Sequence, residues 1–137
     1  MTTSALRNKA LMLVAGLILS CVLIVVSSSI VSAYGADSGQ EVYNQCIGCH
    51  SFSYNRTGPK HCGVFGRRAG VVPDFEYSQA MRESKLVWDE VTLDQFLASP
   101  LTVVPGTTMG FAGISDAGKR QLLIAYIRRQ SQSNECK

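Results

Sequence analysis

The stretch EVYNQCIGCHSFSYNRTGP, residues 41–59, decides the fold. Two cysteines lie three positions apart in it, at Cys46 and Cys49, and His50 follows the second one directly. Few other side chains that bind metals lie near them in the sequence. The group bound here must therefore accept two thiols and one imidazole from a single short turn of chain.

The pattern Cys-x-x-Cys-His is the attachment signature of covalently bound haem. The two thiols add across the two vinyl groups of one porphyrin edge, and the two-residue gap sets them that far apart. The histidine that follows directs its imidazole at the iron. Because the motif occurs once, the sequence predicts one covalent haem c, attached to Cys46 and Cys49 with His50 on the iron.

Two other uses of these residues are a structural zinc site and a redox dithiol. Zinc usually takes four ligands, and the remaining candidates are His61, Cys62 and Cys136, without a second Cys-x-x-Cys. A redox dithiol belongs near the start of a helix in a βαβ unit, which the sequence does not indicate. Haem attachment is the favoured interpretation.

The N-terminus predicts export from the cytoplasm. Residues 10–33 carry no charge, and the basic residues Arg7 and Lys9 precede them. This pattern indicates a signal peptide over residues 1–33, cleaved after Ala33, and a domain over residues 34–137 in the bacterial periplasm. A retained membrane anchor and lipid attachment at Cys21 are the alternatives, and membrane contact is expected only if the segment is retained.

The charge balance argues against a nucleic-acid partner. Removing Arg7 and Lys9 leaves eleven basic side chains against ten acidic ones, without a basic stripe. A chain of 137 residues has room for one domain with a limited core, and such domains often need a disulfide, a metal or a cofactor.

The hydrophobic pattern predicts an all-α domain with long loops. Short helices are predicted over residues 39–45 and 78–83. A longer helix begins at the N-cap Asp89 and ends at Pro100, and the last helix runs from a cap at Ser115 or Asp116 to Gln130. The residues predicted to face inward are Leu93, Phe96, Leu97, Leu122, Leu123, Tyr126 and Ile127.

Met109 is the candidate for a second ligand on the iron. It lies in VVPGTTMGF, residues 103–111, a predicted loop in which a methionine is not a typical core residue. Met81 lies in a predicted helical turn and is interpreted as packing. His61 is a rival ligand, although it follows His50 by only eleven residues.

Five motifs in order resemble the class I c-type cytochromes, on the mitochondrial-like branch that includes bacterial carriers. They are CIGCH, TGPKHCGVFGRRAG, FEYSQAM leading to Trp88, PGTTMGFAGI and LIAYI, within residues 39–130. The resemblance implies crossing N- and C-terminal helices, plus short helices and long loops, wrapped around one covalent haem.

The resemblance also implies roles for single residues. Gly39 and Tyr43 would meet the last helix near Tyr126, and the Pro59 carbonyl would accept a hydrogen bond from His50. Positions that match those around the haem propionates are Arg67, Tyr77, Trp88 and Thr107, and Phe111 matches the aromatic residue beside the exposed haem edge. Taken alone, Tyr77 and Trp88 could be plain core and Arg67 a solvated charge.

A disulfide between Cys62 and Cys136 is a further implication of the resemblance, since it brings the Cys62 loop close to the end of the last helix. An oxidising compartment would support it. Two free thiols, or a dimer through Cys136, are the alternatives.

The sequence departs from the family pattern at several places. Phe96 replaces a tyrosine that bonds the methionine sulfur, Met81 replaces a polar residue near a propionate, and His61 replaces an apolar residue beneath the haem. The lysine ring of mitochondrial members is largely gone, and the matching positions include Gln45, Leu101, Thr102, Thr108 and Asp116. Basic residues collect instead at Arg67, Arg68, Arg128 and Arg129, while Leu101, Val103 and Val104 are expected to be exposed.

These features predict a one-electron carrier rather than an enzyme, because iron held by His50 and Met109 has no open site. Its partners would be redox proteins, one donor and one acceptor, and the chain is expected to be a monomer. The alternatives are a non-catalytic haem subunit or anchored domain of an oxidoreductase complex, and a haem enzyme or gas sensor if Met109 does not ligate.

Overall fold

The computed structural model describes residues 39–137, and these residues form an all-α domain. The helices are α1 over residues 39–43, α2 (Gln79–Glu83), α3 (Glu90–Ala98), α4 (Pro100–Val103) and α5 (Ala117–Gln130), followed by a 3₁₀ turn (Asn134–Cys136). None of the helices in this part of the chain is long and apolar enough to cross a membrane. The predicted signal peptide lies outside the described residues.

Helix α1 packs directly on α5, as the resemblance implied. A Cβ atom built on Gly39 would lie 2.7 Å from the Cβ of Tyr126, so only glycine fits at this contact. The rings of Tyr43 and Tyr126 lie 5.3 Å apart between centroids. The predicted meeting of Gly39 and Tyr43 with α5 is confirmed, although α1 ends at residue 43 and turns follow up to Cys49.

Helix α3 begins where the sequence predicted. The Asp89 side chain accepts from the backbone N–H of Thr92, and the Thr92 side chain accepts from the Asp89 N–H, which completes a capping box. Leu93, Phe96 and Leu97 are buried along one face of the helix. The capping signal and the apolar spacing therefore predicted both the start of α3 and its core face.

Helix α5 is capped by Asp116, whose side chain accepts from the N–H of Lys119. It is tied to α3 by an ion pair between Arg120 Nε and Asp94 Oδ1 at 2.8 Å. The predicted inward face is corrected at one position: Leu122 is half-buried, whereas Ile124 is buried, because α5 meets both α1 and α3.

The segment after α3 differs from the prediction. Pro100 does end α3, but it also begins α4, because a proline at the first helical position needs no hydrogen-bond acceptor for its nitrogen. Val104, expected to be exposed, is 2% exposed, and Val103 is half-buried. In the described part of the chain, extended pairing is limited to one isolated bridge between Arg68 and Val87.

The chain beyond α5 returns to the loop that follows His50. Cys62 and Cys136 form a disulfide in the structure, with Cα atoms 5.3 Å apart. The Gly63 N–H donates to the Ser131 carbonyl at 3.2 Å beside it. The last turns of the chain therefore fasten the loop around residue 62 to the end of α5.

Removing this disulfide should lower the free energy of unfolding. The bridge joins residues 74 positions apart. The chain-entropy estimate for a loop of this size is about 4 kcal/mol at most. Cys62→Ser with Cys136→Ser should therefore unfold at a lower denaturant concentration. Its free energy of unfolding should be lower by about 2–4 kcal/mol.

The matched control for this experiment is Glu135→Gln, which changes the exposed bond from Ser53 Oγ to Glu135 and leaves both sulfurs in place. It should cost much less than the double variant. Two alkylatable thiols in the native, oxidised protein would contradict the disulfide.

Candidate functional site

A cleft of about 400 Å³ opens at the centre of the domain. Most of its wall is apolar, and the predicted site residues converge on it from separate segments. The site residues that line it are Cys46, Cys49, His50, Pro59, Arg67, Tyr77, Trp88, Thr107, Met109 and Phe111. All ten positions named from the sequence as touching the cofactor thus share one cleft.

His50 is held by its Nδ1 atom. The Pro59 carbonyl lies 2.8 Å from Nδ1, and because a carbonyl can only accept, Nδ1 donates and carries the ring proton. Burial lowers the pKa of His50, while the bond to Pro59 raises it. The ring is therefore a neutral imidazole with the Nε2 lone pair free to bind a metal.

The two cysteines lie on a tight turn just before His50. The N–H groups of Cys49 and His50 both donate to the Cys46 carbonyl, at 3.1 and 2.9 Å. Both thiols are free in the structure, with Cys46 half-buried and Cys49 exposed. One turn of chain therefore presents two thiols and one imidazole to the same cleft.

Arg67 is not the solvated charge that it could have been from the sequence alone. Its two terminal nitrogens donate to the carbonyls of Cys62 and Lys60, at 2.7 and 3.0 Å. Its Nε is buried and has no hydrogen-bond partner among the described residues. A buried guanidinium nitrogen without a partner, on a residue that lines the cleft, fits an anionic group such as a carboxylate.

The remaining cleft residues come from later segments of the chain, before α2, before α3 and after α4. Trp88 is buried and packs on Phe96, with ring centroids 5.1 Å apart. Tyr77 is half-buried, and burial raises the pKa of its hydroxyl while Arg67 acts in the opposite direction. In the loop after α4, the Met109 N–H donates to Thr107 Oγ1 at 3.2 Å, which fixes the short segment that carries the thioether.

His61 lies beside His50 and not opposite it. The two rings are stacked, with centroids 4.4 Å apart and planes 23° apart. Two ligands on opposite sides of one metal ion cannot stack ring on ring, so His61 is excluded as a rival to Met109. Burial lowers the pKa of His61 to about 3, with smaller contributions from His50 and Arg67, and its ring is neutral.

Two residues that position the site were missed in the sequence. A Cβ atom on Gly58 would lie 2.7 Å from both ring nitrogens of His50, so the glycine leaves room for the imidazole. Arg56 Nη1 donates to the Ile47 carbonyl at 2.6 Å and holds the turn between the cysteines. The Thr-Gly-Pro sequence before Lys60 was the available signal for Gly58, whereas nothing in the spacing indicated Arg56.

The donor set of this cleft fits a covalently attached haem. Two free thiols and a neutral imidazole lie at one side, a thioether lines the cleft as well, and the buried Arg67 Nε suits a propionate. The wall between them is mostly apolar, as a porphyrin requires.

The two other uses of the motif find little support. In residues 39–137, no three side chains among His, Cys, Asp and Glu come together as a metal site. Burial raises the pKa of the Cys46 thiol to about 11, and Cys49 adds to the rise, whereas a reactive dithiol needs a lowered pKa.

Comparisons with known proteins agree with this assignment. No protein-family model matches the chain. It is 38% identical over 112 residues to cytochrome c2 of Blastochloris viridis, covering 78% of this chain and 88% of that protein. It is 42% identical over 105 residues to cytochrome c2 of Rhodomicrobium vannielii, covering 72% and 84%.

A solved structure is similar to this chain over most of its length. Cytochrome cH from Methylobacterium extorquens superposes with a TM-score of 0.67 at 41% identity, covering 69% of this chain and 97% of that one. With relatives this similar over most of their own length, the chain belongs to the class I c-type cytochromes, electron-transfer proteins that carry one covalently attached haem c.

Proposed function

We propose that this cytochrome shuttles single electrons between redox proteins in a bacterial periplasm, with its haem iron held between His50 and Met109. The observation that carries the proposal is the bond from His50 Nδ1 to the Pro59 carbonyl, at 2.8 Å. It leaves Nε2 as the free nitrogen of a neutral imidazole that directly follows the two cysteines of the attachment motif.

Cys46 and Cys49 would form the two thioether bonds that keep the haem in the cleft. When bound, the haem supplies an iron that gains and loses one electron. Arg67, Tyr77, Trp88 and Thr107 would surround its propionates, and the buried Nε of Arg67 supports this role. Phe111 lines the cleft and is half-buried, which suits the residue beside the exposed edge.

Met109 would be the second axial ligand. Its half-buried side chain lines the cleft, and its segment is fixed by the bond to Thr107. A thioether is neutral and soft, so it favours ferrous iron and raises the potential. Phe96 has no hydroxyl to offer the sulfur, and its ring packs on Trp88 in an apolar wall that acts in the same direction.

Two features support a periplasmic location. Residues 1–33 have the pattern of a signal peptide, and the Cys62–Cys136 disulfide belongs to an oxidising compartment. N-terminal sequencing of the native protein tests the first feature: a mature chain that begins near residue 34 is expected. An intact N-terminus in the membrane fraction would favour an anchored form instead.

The face around the methionine loop is nearly neutral. Residues 86–118 contain four acids and no Lys or Arg. Asp89 and Asp116 cap helices α3 and α5, while Glu90 pairs with Arg128 and Asp94 with Arg120. Two of the four acids are thus paired with cations, and the helix N-termini partly offset the two exposed caps, so the face is neutral to slightly acidic.

Two apolar side chains are exposed near the attachment motif and the methionine loop, and one of them, Leu101, matches a position where the family has a docking lysine. Leu101 is 58% exposed in α4, and Ile47, between the two cysteines, is 47% exposed. Two of the four arginines that the sequence placed away from this face make contacts within the domain. Arg67 lines the cleft, and Arg128 lies over the Phe65 ring. We infer that the carrier docks through apolar contact rather than through a charged ring.

Replacing the proposed methionine ligand should open the iron to external ligands. Met109→Ala should lose the long-wavelength absorption band that methionine sulfur gives to ferric haem. It should bind cyanide at least about tenfold more tightly than the wild type, because no protein ligand must first leave. Absorption spectra and cyanide titrations of the ferric protein measure both effects.

The matched control is Met81→Ala, which removes the other methionine that lines the cleft. It should keep the sulfur band, although it should lower stability because Met81 is buried. A wild-type protein without the band, or a Met109→Ala variant that keeps it, would refute the ligand assignment.

The neutral face predicts weak salt dependence of electron transfer. The natural donor and acceptor are first identified by purifying the protein with its neighbours. Stopped-flow rates with them should then change by less than about twofold between low salt and about 0.2 M ionic strength, because charge steering needs opposite fields. A steep fall with added salt would contradict this docking mode.

Adding positive charge to this face should create a salt dependence of electron transfer that the wild type lacks. Leu101→Lys with Thr108→Lys adds two cations at exposed positions of this face. It should speed low-salt transfer to an oxidase with an acidic docking face, and the gain should vanish as salt is added. Leu101→Gln with Thr108→Gln is the uncharged control and should show no such gain.

A further inference from the structure

His61 is a polar ring where the family resemblance leads us to expect an apolar side chain. It lines the cleft and stacks on His50, with centroids 4.4 Å apart and planes 23° apart. The contact is ring on ring over the face of the imidazole, so His61 can restrict how His50 rotates.

The backbone that carries His61 is clamped on both sides. Arg67 donates to the carbonyl of Lys60 before it and to the carbonyl of Cys62 after it, at 3.0 and 2.7 Å. Cys62 is joined to Cys136 by the disulfide. The backbone on both sides of His61 is therefore restrained, by the Arg67 hydrogen bonds and by the disulfide.

The ring itself is bonded at its edge, where Tyr43 Oη lies 3.1 Å from His61 Nδ1. The backbone N–H of His61 donates to the Ser51 carbonyl at 3.0 Å and holds the chain beneath the ring. Tyr43 is 4% exposed, and it packs between the rings of Phe52 and Tyr126, with centroids at 4.8 and 5.3 Å. Tyr43 and Phe52 also meet the His61 ring edge-on, with planes 66° and 73° apart, so one hydrogen bond and two aromatic contacts together hold its plane.

His50 needs such a neighbour. The bond from Nδ1 to Pro59 fixes one point of the ring, but a ring held at one atom can still turn about that bond and about the metal–nitrogen axis. Gly58 contacts the ring as well, yet it offers backbone atoms and not a flat surface. The stacked plane of His61 restrains the rotation that these two contacts leave free.

We propose that His61, held by Tyr43, is a positioning residue that sets the plane of the His50 imidazole. The inference rests on the proposed function, in which His50 is an axial ligand of the iron. The plane of an axial imidazole determines how unpaired spin is distributed over a ferric porphyrin. A plane that stays the same in both oxidation states also keeps the reorganisation on electron transfer small.

Proton NMR of the ferric holoprotein tests this proposal, because the spread of the four haem-methyl shifts follows the imidazole plane. His61→Leu and His61→Gln lack a flat ring, and both should change that spread. His61→Phe restores a flat ring at the same position and should return the pattern close to that of the wild type. The glutamine variant keeps a polar side chain, which separates the loss of the ring from the loss of polarity.

Tyr126→Phe is the matched control. It removes a hydroxyl from the same aromatic cluster without touching His61, and it should leave the methyl shifts unchanged. A wild-type pattern in both ring-less variants would overturn the proposal. So would a pattern that changes equally in the leucine and phenylalanine variants, because the flat ring would then be irrelevant.

The same spectra separate this proposal from the ligand assignment. A strongly upfield-shifted methionine methyl signal in the wild type and in the variants shows that histidine–methionine ligation is intact, so unchanged haem-methyl shifts then count against His61 alone. A wild-type spectrum without that methionine signal would overturn the proposed ligation and the inference built on it.

Discussion

The bond between His50 Nδ1 and the Pro59 carbonyl is the constraint on which the rest of the site depends. It selects the tautomer, so Nε2 is the nitrogen that keeps a free lone pair, and it joins the Cys-x-x-Cys-His turn to the loop that follows. Gly58 must then pass so close to the imidazole that a side chain there would collide with the ring. A single hydrogen bond thereby accounts for the Gly-Pro pair beside the imidazole: proline supplies the acceptor, and glycine leaves room for the ring.

That loop serves as a frame for the cleft, because it has little regular structure of its own. Both terminal nitrogens of Arg67 donate to loop carbonyls, and the disulfide joins Cys62 to Cys136 near the end of the chain. Polar groups that would otherwise be buried without partners are thus paired within the loop. The Nε of Arg67 is an exception within this loop, and an anionic group bound in the cleft would offset the cost of leaving it unpaired.

Much of this arrangement could be predicted from the sequence, because its signals are local. The N-cap Asp89 and the apolar spacing of α3 each act within a few residues, and each predicted the observed helix. Helix α4 was not predicted, because a proline can mark either the end of one helix or the first residue of the next, and Pro100 does both. The side of the cleft taken by His61 depends on its contact with Tyr43, eighteen residues away, and no local pattern encodes that distance.

The charges on the methionine side also have meaning only in three dimensions. Counted along the chain, four acids and no base over residues 86–118 suggest an acidic face. In the structure, Asp89 and Asp116 cap helix N-termini, which offset part of their charge, and Arg120 pairs with Asp94 from outside that range. An ion pair within the domain and a cap at a helix N-terminus both weaken the electric field that a partner meets. The proposed docking through shape and apolar contact differs from charge steering in its range, because such contacts act only once the two proteins already touch.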